Sequence, residues 1–273
     1  AEDSKLTNTA TNSDGNEHYV LCIENAVAKL YESVEISSDN MGAIYVAGNS
    51  TLSIDGGTYR AGNFYPLNII DSTVDYTGSA TFYQAPGGNN VIINATAGST
   101  LNGETLASDT SIKCISTLAE LQAAFSNGGI YKLVENIELD ATLTLASGKS
   151  LTLDMSYRSL VTTVELDPII INEGTLTLKD AVIETANTAI WSKSGKLTLK
   201  YCGLITTTNR VNALTVTGGT LMVEGGTFMN NVSPTDGEAP EYVISLKDVT
   251  DAQIKQAEIH GNMSMGGISV DNS

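Results

Sequence analysis

The nine residues Thr51-Leu-Ser-Ile-Asp-Gly-Gly-Thr-Tyr59 decide how this chain folds. They return as Thr220-Leu-Met-Val-Glu-Gly-Gly-Thr-Phe228, matching in pattern at all nine positions across 169 residues (220 minus 51). A pattern that recurs so completely marks a supersecondary unit stacked many times along a chain. Within each copy, alternating apolar residues, Leu52 and Ile54 or Leu221 and Val223, turn one side of a strand toward a core. Tyr59 and Phe228 lie five positions after Ile54 and Val223, an odd offset that would turn them to the opposite face of a straight strand. Gly56-Gly57 and Gly225-Gly226 stand where a bend must bring them back inward.

Working outward from Ile54, equivalent anchors fall at Leu30, Ile54, Tyr76, Leu153, Leu178, Leu199, Val223 and Ile254. Most neighbouring anchors are 21 to 25 residues apart; the last interval is 31, and within it Asn230 to Pro240 reads as a polar, proline-containing inserted loop. The apolar residue five positions on recurs as Ile183, Leu204 and Ile259. A further short strand precedes many anchors, as in Ala43-Ile-Tyr-Val46, Pro168-Ile-Ile-Ile171, Ala189-Ile-Trp191 and Ala213-Leu-Thr-Val216. Three short strands per unit of about 21 to 25 residues give an all-β solenoid, a right-handed parallel β-helix whose coils stack about 4.8 Å apart. A leucine-rich repeat shares the period, but its asparagine-ladder consensus and its helical spacing are missing. An antiparallel sandwich does not require its strands to resemble one another at a fixed interval.

One helix is predicted, over about 117–126. Thr117 and Glu120 have capping-box spacing, Leu118, Leu121 and Phe125 form a stripe, and Gly128-Gly129 can end it. A short amphipathic helix in mid-chain suits the open end of a solenoid core. The chain is therefore expected to comprise a flexible segment 1–17, a first β-helix segment 18–110, and a second segment 111–273 that opens with the capping helix. Gly98 to Thr110 is the candidate connector, and Gly267-Ile-Ser-Val270 reads as the beginning of another coil.

Composition narrows the partners. Lys and Arg number 14 against 31 Asp and Glu, a formal charge of −17 that repels nucleic acid and anionic lipid headgroups, whereas a neutral glycan meets no such penalty. No stretch approaches 18 apolar residues, so no membrane span is expected, and Ala1 to Glu17 lacks the layout of a signal peptide. Aromatic residues make up only 6%, leaving the core to Leu, Ile and Val. Cys22, Cys114 and Cys202 lie far apart in apolar runs and are expected as buried free thiols.

The phrases Asn172-Glu-Gly-Thr-Leu-Thr-Leu178, Ser194-Gly-Lys-Leu-Thr-Leu199 and Thr217-Gly-Gly-Thr-Leu-Met-Val223 resemble the repeats of pectin-lyase-like β-helix proteins secreted or displayed by bacteria. So does the lead-in of capping helix, Gly128-Gly-Ile-Tyr-Lys-Leu133 and Leu145-Ala-Ser-Gly-Lys-Ser-Leu151. Gly42-Ala-Ile and Phe228-Met-Asn-Asn231 are similar to short motifs of repetitive bacterial outer-membrane adhesins. The resemblance implies a fold and an extracellular or cell-surface setting, but no particular reaction.

Catalytic motifs of that family are incomplete. Polygalacturonases carry an Asp pair, a further Asp, a His-Gly and an Arg-x-Lys element; only His260-Gly261 has a counterpart here, and a glycosidase needs two positioned carboxylates. Asp55, Asp71, Asp75, Asp180 and Glu224 fall singly on different coils; those next to anchors should face solvent. With His18 and His260 the only histidines, a nucleophile triad has little material. No cofactor and no metal are expected.

Aromatic residues give the remaining lead. Alternation turns Trp191 outward beside inward Ile190, and Tyr45 outward between Ile44 and Val46, while Phe64-Tyr65-Pro66 and Phe82-Tyr83 suit turns or coil edges. Tyr45, Tyr65, Tyr83 and Trp191 are thus candidate contacts for a carbohydrate or another surface protein. The expected function is a structural, adhesive or glycan-binding module outside the cell. The alternatives are a carbohydrate-active β-helix enzyme, a lyase or hydrolase, or a phage tail-spike-like protein.

Overall fold

A computed structural model describes residues 5–8, 18–77, 79–85, 90–162, 164–206, 211–231, 242–261 and 266–272. The fold is a parallel β-solenoid in two compact units, Ala1–Cys114 and Ile115–Ser273.

In the first unit the chain visits three faces in rotation. The first face carries Lys5–Asn8, Glu35–Ser38, Thr58–Ala61 and Thr81–Gln84. The second carries Tyr19–Glu24, Gly42–Ala47, Leu67–Ile69 and Val91–Ala95, and the third Val27–Leu30, Thr51–Ile54, Thr73–Tyr76 and Thr100–Leu101. Every one of these neighbour pairs is parallel. Residues one coil apart therefore sit directly above one another, and like side chains form columns. Ile36, Tyr59 and Phe82 make one column, Ile44, Leu67 and Ile93 another. All six are buried, and the Tyr59 and Phe82 rings stack at 5.2 Å. Fully burying each such side chain contributes roughly 1.5–3 kcal/mol before the entropy of ordering is set against it.

Part of the leading segment belongs to this unit: Lys5–Asn8 pairs with Glu35–Ser38, and Lys5 Nζ lies 2.6 Å from Glu35 Oε1. Residues 1–4 and 9–17 lie outside the described residues. The expected connector at Gly98 to Thr110 has a different role. Thr100–Leu101 continues the third face, Glu104–Thr105 turns back antiparallel to it, and Thr110–Ile115 runs antiparallel to Val91–Ala95. The last coil would otherwise leave a row of unpaired backbone groups, and this return strand satisfies them.

The second unit opens with the helix Leu118–Asn127. Thr117 caps it, with its side chain accepting from the Glu120 N–H while Glu120 accepts from the Thr117 N–H. Leu121, Ala124 and Phe125 are buried, and the helix packs on the first-coil strands Ile137–Leu139 and Leu143–Leu145. It closes the apolar end of the tube, as the sequence predicts. Six strands stack on the face that begins with Gly129–Leu133 and continues through Ser150–Asp154, Thr175–Lys179, Lys196–Thr206, Thr220–Asn230 and Asp251–His260. The last three of these are long enough to bend and supply a neighbouring face as well. Another face runs from Leu143–Leu145 through Ile170–Asn172, Ile190–Ser192, Leu214–Val216 and Tyr242–Lys247 to Gly266–Asp271. The stretch expected as a new coil, Gly267 to Val270, is thus the third-face strand of the last coil. Most of the insertion expected at 230–240 lies outside the described residues.

The odd offset is resolved at the bend. Ile54 and Tyr59 are both buried, as are Val223 and Phe228, and the glycines between them take left-handed conformations: φ 127° and 91° at Gly56 and Gly57, 82° and 117° at Gly225 and Gly226. Intermediate coils make the same bend without glycine, using Asp180 at φ 49° and Tyr201 at φ 56°.

The cysteines correct one expectation. Cys202 is buried and Cys114 half-buried, but Cys22 is exposed. The run Val20-Leu-Cys-Ile23 looks uniformly apolar, yet on the strand only Ile23 is buried and Cys22 takes the opposite face.

Candidate ligand-binding face

The outward side of the second face of the first unit gathers the most organised surface chemistry. Alternation on Gly42–Ala47 buries Ile44 and Val46 and leaves Tyr45 half-buried on the outside. One coil earlier, Tyr19 pairs with Gly42, and its ring covers the place where a side chain at 42 would stand. The Tyr19 and Tyr45 rings lie 5.4 Å apart, tilted by 32°. One coil later, Asn68 pairs with Tyr45, and its Nδ2 donates to Tyr19 Oη at 2.9 Å.

That amide is held in turn. Asn94 Nδ2 donates to Asn68 Oδ1 at 3.0 Å, and Ser111 Oγ donates to Asn94 Oδ1 at 3.2 Å. A hydrogen-bonded run from the return strand thus crosses the coils and ends on the Tyr19 hydroxyl. Asn68 is only 3% exposed, so its amide serves to fix the tyrosine. A shallow depression of about 410 Å³ lies here, lined by His18, Tyr19, Cys22, Glu24, Tyr45, Asn68 and Ile70. Partial shielding of the thiol from water, followed by the charge of Glu24, raises the Cys22 pKa and so favours its neutral form. The two rings offer C–H-binding faces, and Glu24 at the rim can accept hydroxyl hydrogen bonds. Because the rings are already held, little ordering entropy remains to oppose binding.

The other aromatic candidates stand elsewhere. Tyr65 is half-buried in the turn between the first and second faces, where its carbonyl accepts from Ala43 N at 3.2 Å. Tyr83 is 40% exposed on the first face, opposite Arg60, while its neighbour Phe82 points into the core. Trp191 belongs to the second unit, where it is half-buried between Ile171 and Thr215. Its Nε1 donates to Thr217 Oγ1 at 3.0 Å, and Lys193 Nζ lies 4.6 Å from its ring centroid. Tyr45 shares its depression with a second aromatic ring, Tyr19.

Sequence reasoning did not single out Tyr19. Its partners are Gly42 and Asn68, which are brought beside it only by coil register; a tyrosine one coil before a glycine is the signal that could have found it. A second depression, of about 520 Å³, was also missed: Tyr31, Glu32, Ser33, Asp55, Thr77 and Ser79 line it at a corner of the first unit. There Lys29 pairs with Asp55 at 2.6 Å and lies 5.2 Å from the Tyr31 centroid.

The carboxylates considered for catalysis are distributed. Asp55 is engaged by Lys29, Glu224 by Lys200 at 3.0 Å, and Asp75 is exposed. His260 ends a strand, with its Nε2 3.5 Å from Glu258 Oε2. Among the described residues no three His, Cys, Asp or Glu side chains gather as metal ligands, and no helix is long and apolar enough to cross a membrane. Comparison with known proteins found no matching family model, no similar curated protein and no similar solved structure.

Proposed function

We propose that this protein is an extracellular or cell-surface module that binds neutral carbohydrate, with the Tyr19–Tyr45 face of the first unit as its contact surface. The observation that carries this reading is the fixation of the Tyr19 ring beside Tyr45 by groups from neighbouring coils: Gly42 beneath it, Asn68 on its hydroxyl. Packing of the tube needs neither ring, because the core of the same strands is filled by Ile23, Ile44 and Val46. The charge of −17 favours neutral sugars over acidic ones. Resemblance of the repeats to pectin-lyase-like bacterial surface proteins supports the setting outside the cell.

A glycan array probed with the full chain tests this. Retention on neutral glycans, lost or strongly reduced on at least one of them for Tyr45→Ala, is the expected result. Equal retention of the two proteins, or retention of neither, would refute it.

A further inference from the structure

The bend that the second unit repeats from coil to coil holds an unusual choice of residue. Tyr157, Asp180, Tyr201, Gly225 and Gln256 all occupy left-handed conformations, with φ between 49° and 82°. The first three follow one another through the stack: the Tyr157 N–H bonds the Asp180 carbonyl and the Asp180 N–H bonds the Lys200 carbonyl, both at 2.9 Å. Glycine and asparagine fill left-handed positions at little cost, whereas a bulky side chain there is disfavoured. The first unit follows that rule, with Asn25, Asn49 and Asp71 at its left-handed positions. Tyr157, Tyr201 and Gln256 in the second unit depart from it, and two of these three are aromatic.

Both are displayed. Tyr157 is 73% exposed and Tyr201 60%, so neither is placed there for core packing. The Tyr201 ring lies over Gly225 of the next coil, where an added Cβ would come within 2.7 Å of it. This is the arrangement found at Tyr19 and Gly42. Asp180, whose carbonyl accepts from the Tyr157 N–H, stands on the coil between the two rings. Of the neighbouring cations, Lys179 lies 4.0 Å from Asp154 and Lys200 3.0 Å from Glu224. Two coils separate the rings, a distance of about 10 Å, which a disaccharide step of an extended sugar chain spans.

We infer that Tyr157 and Tyr201 form a second carbohydrate platform, binding a neutral oligosaccharide that runs along the stacking direction with Asp180 accepting hydroxyl hydrogen bonds between the rings. The inference rests on the carbohydrate reading above but uses none of its residues. Residues held in left-handed conformations without glycine cluster at ligand clamps and other functional sites.

Titration calorimetry of the full chain with cellotetraose, chitotetraose and mannotetraose, and with the matching disaccharides, tests it. For at least one tetrasaccharide, Tyr157→Asn and Tyr201→Asn should each weaken the second-unit site at least tenfold, and the disaccharide should bind it far more weakly. Asparagine suits the left-handed backbone, so the thermal midpoint of either variant should match or exceed that of the parent; a loss of binding is then a loss of contact. Tyr45→Ala should leave this site intact. If Tyr45→Ala abolishes all binding while both asparagine variants bind as the parent does, the second platform is refuted and the first-unit reading stands. The converse refutes the first-unit site alone. If no sugar binds, the inference falls.

Discussion

The ring of Tyr19 rests on the backbone of Gly42 in the next coil, where any side chain would collide with it. Glycine in a strand ordinarily weakens it. Here it admits an aromatic ring against the backbone and fixes that ring beside Tyr45.

Gly42→Ala should separate surface geometry from stability. The three atoms nearest the added methyl all belong to the Tyr19 ring, which can swing outward, so unfolding free energy should change by no more than about 1 kcal/mol. Carbohydrate binding should fall nonetheless, with an altered near-ultraviolet tyrosine dichroism. A large stability loss would mean that the ring is part of the core.

Asn172 makes a contrasting prediction. It is fully buried in an inward column between Leu145 and Ser192, and an apolar replacement looks compatible with the repeat. Its Nδ2 donates to Ser192 Oγ at 3.0 Å and to the Lys196 carbonyl at 3.2 Å, and its Oδ1 accepts from Gly174 N. Asn172→Leu strands these buried backbone groups and should cost about 2–4 kcal/mol in urea unfolding. A neutral outcome would show that water replaces the amide.

Alkaline pH should weaken the fold in a defined window. Burial pushes the Cys202 thiol up to about 11 and the Tyr59 phenol up to about 12, from ordinary values of 9.0 and 10.0. Both groups hold their protons longer in the folded state than in the unfolded one. Their stabilisation is therefore complete below about pH 9 and lost as the pH rises toward 12, by roughly 2 kcal/mol per group. Urea midpoints measured from pH 8 to 11.5 under reducing conditions should fall accordingly, and Tyr59→Phe should remove the upper part of the slope. Identical slopes in parent and variant would contradict the assignment.

The fold was legible because a solenoid writes its core into a period. Leu153, Leu178, Leu199 and Val223 lie inside as their spacing requires, and the bend is visible where Gly56-Gly57 and Gly225-Gly226 serve it. Asp180 and Tyr201 make the same bend with no glycine to announce it, so those coils were recognisable only by analogy. Cys22 misled because a run of apolar letters hides which face each occupies. The return strand Thr110–Ile115 was hidden for a different reason: Ser111-Ile-Lys-Cys114 alternates as any strand does, and that alternation carries no sign that the strand runs antiparallel to Val91–Ala95. Tyr45 was legible from alternation on its own strand. Tyr19 and Asn68, 49 residues apart, meet only through register.

The most direct test of the carbohydrate-binding surface is the affinity of parent and Tyr45→Ala proteins for the neutral oligosaccharide best retained on the array, measured by calorimetry with their thermal midpoints matched within a few degrees. Binding at the first-unit site should weaken at least tenfold, about 1.4 kcal/mol. Unchanged affinity in a folded Tyr45→Ala protein would contradict the assignment of that face.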